Sequence, residues 1–194
     1  MPALLLRGAR LIDRLNERIG HGVRWLVLAA VLISASNAMV RYLFNVSSNA
    51  WLELQWYLFA AVFLLASPYT LLCNEHVRID VVTGSLSRRT QAIIDILGGI
   101  FFLLPMALMV LVLSWSGFVE SFVRQEVSAD AGGLIRWPAR LLIPVGFALL
   151  TLQGLSEIVK RIAFLRGLAA DPAAHPPPAD DRTPNRPNSG AGTQ

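Results

Sequence analysis

Long apolar runs, broken by short clusters of charge, dominate the chain from residue 23 onward. A hydrocarbon layer of about 30 Å needs about 20 helical residues to cross it. Four runs approach that length. The first covers residues 23–44, but its uncharged part extends only from Trp25 to Val40. Arg41 must therefore snorkel outward or meet an acid. The second covers 51–72 and is uncharged from Leu54 to Asn74, with Pro68 expected to kink its far end. The third covers 93–119, with Asp95 at its mouth and Pro105 inside it. The fourth, 138–159, has the weakest pattern. Its strongly apolar part, Leu141 to Leu152, is short, and Gln153 and Glu157 follow. Pro144 falls near its start, where proline is tolerated. The pattern predicts an all-α, polytopic membrane protein of four transmembrane helices, with residues 23–165 as its membrane domain.

The segments between the runs carry different signals. Residues 1–22 are too polar to span. They suit an amphipathic interfacial helix with Leu4, Leu5, Leu11, Ile12, Leu15 and Ile19 on one side. Arg7, Arg10, Arg14, Asn16, Glu17 and Arg18 fall on the other, facing headgroups or a partner subunit. A cleaved signal peptide ending near Ser36-Asn37-Ala38 fits poorly, because the basic region before the run is too long and hydrophobicity resumes afterwards. Residues 75–92 are polar, and Ser87 is placed to cap a helix beginning at Arg88 and Arg89. Residues 120–137 form a mixed loop in which Gly132 and Gly133 signal flexibility. Residues 166–194 form a Pro/Ala-rich tail with too little apolar surface to offset ordering entropy.

Composition agrees with a bilayer as solvent. Of 194 residues, 54% are hydrophobic and 15% charged, against roughly 25% charged in soluble domains. The net charge of +4 does not indicate nucleic-acid binding, because the basic residues sit at the ends of apolar runs and not on one soluble face. They do set an orientation. Arg7, Arg10, Arg14, Arg18, Arg24, Arg78, Arg88, Arg89, Lys160, Arg161 and Arg166 fall on one side, and Arg124 and Arg136 on the other. The positive-inside rule then places both termini in the cytoplasm. Trp25, Trp51, Trp115 and Trp137 lie near the expected boundaries, as interfacial aromatics do.

Few residues suggest chemistry. Arg41 and Glu53 lie near the outer end of the first hairpin, at similar depth. Their spacing suits an ion pair within the hairpin or to a partner; the alternative is an autonomous small exporter with Glu53 as its carrier. His76, Arg78 and Asp80 alternate in HVRID and would share one face of an extended segment at the cytoplasmic boundary. His21, His76 and His175 leave open a haem-binding anchor, which needs two facing axial histidines. No nucleophile–base set, phosphate loop or metal-ligand cluster appears in the sequence, so the chain reads as neither an enzyme nor a cofactor or metal binder. The lone Cys73 excludes an intrachain disulfide.

RYLFNVSSNAWLELQWYLF, followed about one span later by HVRIDVV, resembles the small membrane subunit of tripartite ATP-independent periplasmic (TRAP) transporters. The stretch from Glu126 to Ile162 is similar to the mannitol/chloroaromatic branch. The resemblance implies a bacterial inner-membrane location and three components. A periplasmic binding protein captures an organic acid, and a large membrane subunit carries the substrate and sodium sites. The small subunit stays with the large one as a structural scaffold. Arg41, Glu53, His76, Arg78 and Asp80 then become packing or docking residues. Glu126 and Asp130, in the loop facing the periplasm, become candidate contacts for the binding protein.

Overall fold

The computed structural model describes residues 2–45, 48–73 and 86–168. Four helices hold nearly all of them: α1 Pro2–Phe44, α2 Asn49–Leu72, α3 Arg88–Val123 and α4 Trp137–Leu165. Each is long and apolar enough to cross a membrane. The helices alternate in direction. One end of the protein therefore carries the connectors 45–48 and 124–136 (the hairpin end). The other carries the start of α1, the end of α2, the start of α3 and the end of α4 (the tail end).

The four helices are not equivalent. Within the most apolar stretch of each, 44% of α4 is buried, against 11%, 6% and 6% in α1, α2 and α3. α4 is the hub. It packs with α1 and α2 in a mutual cluster, and α3 packs on it alongside. Most large apolar side chains of α1 and α3 point away from the protein, among them Trp25, Leu32, Phe101, Phe102, Met109 and Val112.

α1 departs from expectation. It is one helix through residues 22 and 23, with no break between an interfacial piece and a span. Its 43 residues reach about 65 Å, roughly twice the hydrocarbon thickness. Its inward seam has period seven: Ala9, Asn16, Val23, Ala30 and Asn37, interleaved with Ile12, Ile19, Leu26 and Ile33, are all buried or half-buried. That is the a/d spacing of left-handed helix packing. Leu4, Leu5, Leu11 and Leu15 are exposed instead, and Asn16, expected on the outer polar face, is 1% exposed. Small and polar residues make the contact because they let backbones approach and bond, whereas leucine is equally at home in lipid.

Local chemistry explains the other elements. Ser87 caps α3 as expected, its Oγ accepting from the Thr90 amide. α3 widens into a π-turn over Gly99–Leu103 directly before Pro105. Proline has no amide to donate and crowds the preceding turn, and an extra residue in that turn relieves both problems. Pro68 and Pro144 are fully buried. α4 begins at Trp137, so Pro144 lies in its interior and not near its start. Pro68 cannot donate to Leu64 O, and α4 packs tightly on α2 there: a Cβ on Gly146 would lie 2.8 Å from Leu64 Cβ and 3.0 Å from Leu64 O.

Candidate functional site

Two polar clusters occupy opposite ends of the helices. At the hairpin end, one face of α2 presents Asn49, Glu53 and Tyr57, four residues apart. All three hold the 124–136 connector. Asn49 Nδ2 donates to Ala131 O at 3.2 Å, and Tyr57 OH to Ile135 O at 3.4 Å. Glu53 Oε2 accepts the Leu134 amide at 2.7 Å, and its Oε1 accepts the Ser128 hydroxyl. The connector is a small hairpin with an antiparallel bridge between Val127 and Ile135. Gly132, at φ +73°, makes its turn. Gly133 leaves room for the clasp, since a Cβ there would lie 2.4 Å from Ser128 Cβ and 2.9 Å from Glu53 Oε1. The two glycines expected to give flexibility thus serve a defined turn.

Glu126 closes the base of this hairpin. Arg140 contacts both its oxygens at 2.9 Å, and Arg136 reaches Oε1 at 3.3 Å. Arg140 also donates to Gly117 O, tying α3 to α4. Burial pushes the Glu126 carboxyl up, but the Arg136 hydrogen bond and the Arg140 charge outweigh it, and its pKa lies below the usual value. Glu126 is thus engaged within the chain, while Asp130 stands exposed at the tip. Beside the hairpin runs a ladder of rings, Trp115, Phe118, Phe122 and Trp137, with centroids 5.4 to 6.0 Å apart. Such rings suit a membrane–water interface.

At the tail end, α1 and α4 share a second cluster. Asn16 Nδ2 donates to Gln153 Oε1 at 2.7 Å. Gln153 Nε2 donates to Asp13 at 3.0 Å and to Glu157 at 3.1 Å. Ser156 Oγ bonds Asp13 Oδ1 at 2.8 Å and Ala9 O at 3.2 Å. Lys160 Nζ sits between Asp13, at 3.1 Å, and Glu157, at 2.5 Å. One turn on, Arg161 pairs with Asp95 and joins α3 to α4. Of Gln153 and Glu157, which weaken the apolar pattern of the fourth span, Gln153 fastens it to α1 directly, and Glu157 holds Gln153 and Lys160 in place.

The residues singled out in the sequence are dispersed. Arg41 and Glu53 are not partners: Glu53 is held by the connector, and no ion-pair partner for Arg41 exists among the described residues. His21 packs against the Tyr69 ring, with centroids 5.9 Å apart. His76, Arg78, Asp80 and His175 lie outside the described residues. Asp13, Asn16, Gln153 and Lys160 carry the strongest interhelical bonding and were not expected to. For Asn16 the signal was the seven-residue spacing along α1, which the outward-facing leucines obscured.

With this geometry in place, comparison with known proteins is decisive at the family level. The model of the family described as "Tripartite ATP-independent periplasmic transporters, DctQ component" matches residues 30–164. The chain belongs to this family. It is a multi-pass membrane component of a TRAP transporter, a class that works with a large membrane subunit and a binding protein. The match begins inside α1, so the first part of the heptad seam precedes it. No curated protein and no solved structure matches the chain.

Proposed function

We propose that this small subunit braces the large subunit of a sodium-coupled TRAP transporter for an organic acid. The sodium ions and the acid bind on the large subunit. The chain lies in a bacterial inner membrane with both termini cytoplasmic, which puts the hairpin end in the periplasm. There the exposed Asp130 tip is a contact for the periplasmic binding protein; Glu126 supports that tip from below through Arg136 and Arg140. The mannitol/chloroaromatic branch is part of the same proposal.

One observation carries the bracing role. The carboxylates of the Asp13–Gln153–Glu157–Lys160 cluster and of the Glu53 clasp are engaged by donors within the chain. Transport sites near a bilayer midplane use broken helices with unsatisfied groups turned to the cargo. Here α1, α2 and α4 are continuous; Asp13 ties α1 to α4, Glu53 ties α2 to the 124–136 connector, and Glu157 bonds within α4. An exporter with Glu53 as carrier is disfavoured on the same ground, since both its oxygens already hold backbone or hydroxyl donors.

The test is reconstitution. Proteoliposomes holding this chain and the large subunit, with the binding protein outside, should take up the acid when a sodium gradient is applied. Liposomes with this chain alone should not. Uptake or efflux by this chain alone, lost on Glu53→Gln, would replace the proposal with the exporter.

A further inference from the structure

Arg41 occupies an open depression of about 660 Å³ between α1 and α2 at the hairpin end. Ser34 and Asn37 of α1, Asn45 just past its end and Gln55 of α2 share it. On α1 Ser34, Asn37 and Arg41 stand at 34, 37 and 41, a single stripe at helical spacing. Ser34 is satisfied by Ala30 O at 2.8 Å. The Asn37 and Gln55 amides and the Arg41 guanidinium make no hydrogen bond among the described residues. Asn37 and Ser34 lie about 6 and 10 Å below Arg41 along the axis, in the uncharged stretch from Trp25 to Val40. Gln55 likewise falls in the uncharged part of α2.

We propose that this stripe is a docking surface for a transmembrane helix of the large subunit that presents a carboxylate to Arg41. This deepens the bracing role and rests on it. The argument is charge and hydrogen-bond complementarity. A phospholipid phosphate meets a guanidinium at the interface, but it does not descend to Asn37 and Gln55. Acyl chains offer those amides nothing, and amides in hydrocarbon need partners. A protein helix supplies both: one Asp or Glu at the depth of Arg41, and a hydroxyl, amide or carbonyl one turn deeper. Interhelical polar pairs of this type fasten membrane helices. Guanidinium suits the role because its planar fork takes a carboxylate bidentately. The exposed Tyr42 ring borders the depression and adds apolar contact at its rim.

The full-length chain, tagged and co-expressed with the large subunit, provides the experiment. Wild type should retain the large subunit in mild detergent. Arg41→Glu should lower the recovered large subunit about tenfold or more, the effect of placing like charges face to face. Arg41→Lys should keep most of it. In the Arg41→Glu background, changing each membrane acid of the large subunit to Lys should restore recovery at one position. The Asn37→Leu/Gln55→Leu double variant suits lipid and should insert normally, and an unchanged melting temperature of the chain alone separates its loss of partner from failed folding. Wild-type recovery by both Arg41→Glu and the double variant overturns the docking surface. So does loss of co-purified phospholipid phosphorus with the large subunit retained, which identifies a headgroup as the occupant. If wild type itself fails to retain the large subunit, the bracing role falls instead.

Discussion

Asn16 and Gln153, 137 positions apart in sequence, meet at 2.7 Å in the interior between α1 and α4. Both are fully buried. Gln153 is the pivot: its Oε1 accepts from Asn16 and its Nε2 serves Asp13 and Glu157. A polar residue in an otherwise apolar heptad seam fixes register at some cost in stability. Replacing Gln153 with Leu should therefore destabilise the chain by about 1–3 kcal/mol, the cost of stranding buried polar groups. Asn16→Leu should cost less, because Gln153 keeps its two carboxylate partners. In the double variant Asn16→Leu/Gln153→Leu the loss should fall short of the sum. Thermal unfolding in detergent, read as a double-mutant cycle, measures this; strict additivity would show the pair to be uncoupled.

Glycine contacts make a second, steric prediction. A Cβ on Gly154 would lie 2.4 Å from Leu103 Cδ2, and one on Gly146 would press on the Leu64 backbone. Gly146→Ala should cost about 1–3 kcal/mol, because backbone cannot yield as a side-chain tip does. Gly154→Ala should cost less, since Leu103 can change rotamer. Gly22→Ala meets nothing within 4 Å and lies inside α1. It should stabilise by up to about 1 kcal/mol through helix propensity alone. Melting temperatures of the three variants in one detergent decide the order.

The base of the 124–136 hairpin should respond to acid. The folded Glu126 carboxyl titrates below its usual value of 4.5. For a depressed carboxyl, the stabilising contribution is present above the unfolded pKa and is lost as pH falls through the folded one. The hairpin should thus be held at pH 5 to 8 and loosen only in stronger acid. A spin label at Asp130→Cys, in a Cys73→Ser background, should show a constant spectrum down to about pH 5 and sharpen below it. Adding Glu126→Gln should give the loosened spectrum at neutral pH; no difference there would remove Glu126 from the device.

Glu53 offers a separate handle on the same loop. Glu53→Ala removes the acceptor of the Leu134 amide and of the Ser128 hydroxyl. Amide exchange at residues 128–134 should rise several-fold, while exchange in α2 and α4 stays unchanged. Glu53→Gln keeps one carbonyl oxygen and should fall between.

The sequence revealed four spans, the Ser87 cap and the family, because each is written in contiguous residues: uncharged runs, a hydroxyl before a helix, a run such as RYLFNVSSNAW. The fastenings were harder to read. Glu53 is held largely by the Leu134 backbone amide, and a backbone donor leaves no mark on residue identity. The seam of α1 was hidden by its leucines. In water, Leu4, Leu11 and Leu15 would mark the buried face; beside lipid they are free to face outward, and Ala9, Asp13 and Asn16 take the contact. Arg41 was expected to pair with Glu53 by depth, but depth does not fix the direction a side chain leaves its helix.

The continuity of α1 gives the sharpest test of that seam. If residues 2–22 belong to the membrane bundle through the heptad seam, their rotation about the helix axis matters. Inserting one alanine after Gly22 turns everything before it by about 100° and takes Ala9, Asp13 and Asn16 off α4 together. Ala9 O and Ser156 Oγ are 3.2 Å apart, so the pair Ala9→Cys/Ser156→Cys, with Cys73→Ser, should cross-link with a short thiol reagent. The insertion should abolish that cross-link and lower the melting temperature as much as Gln153→Leu does. An independent helix lying on the membrane surface would be indifferent to the added residue. Cross-linking that survives the insertion would return residues 2–22 to the role of a separate interfacial helix.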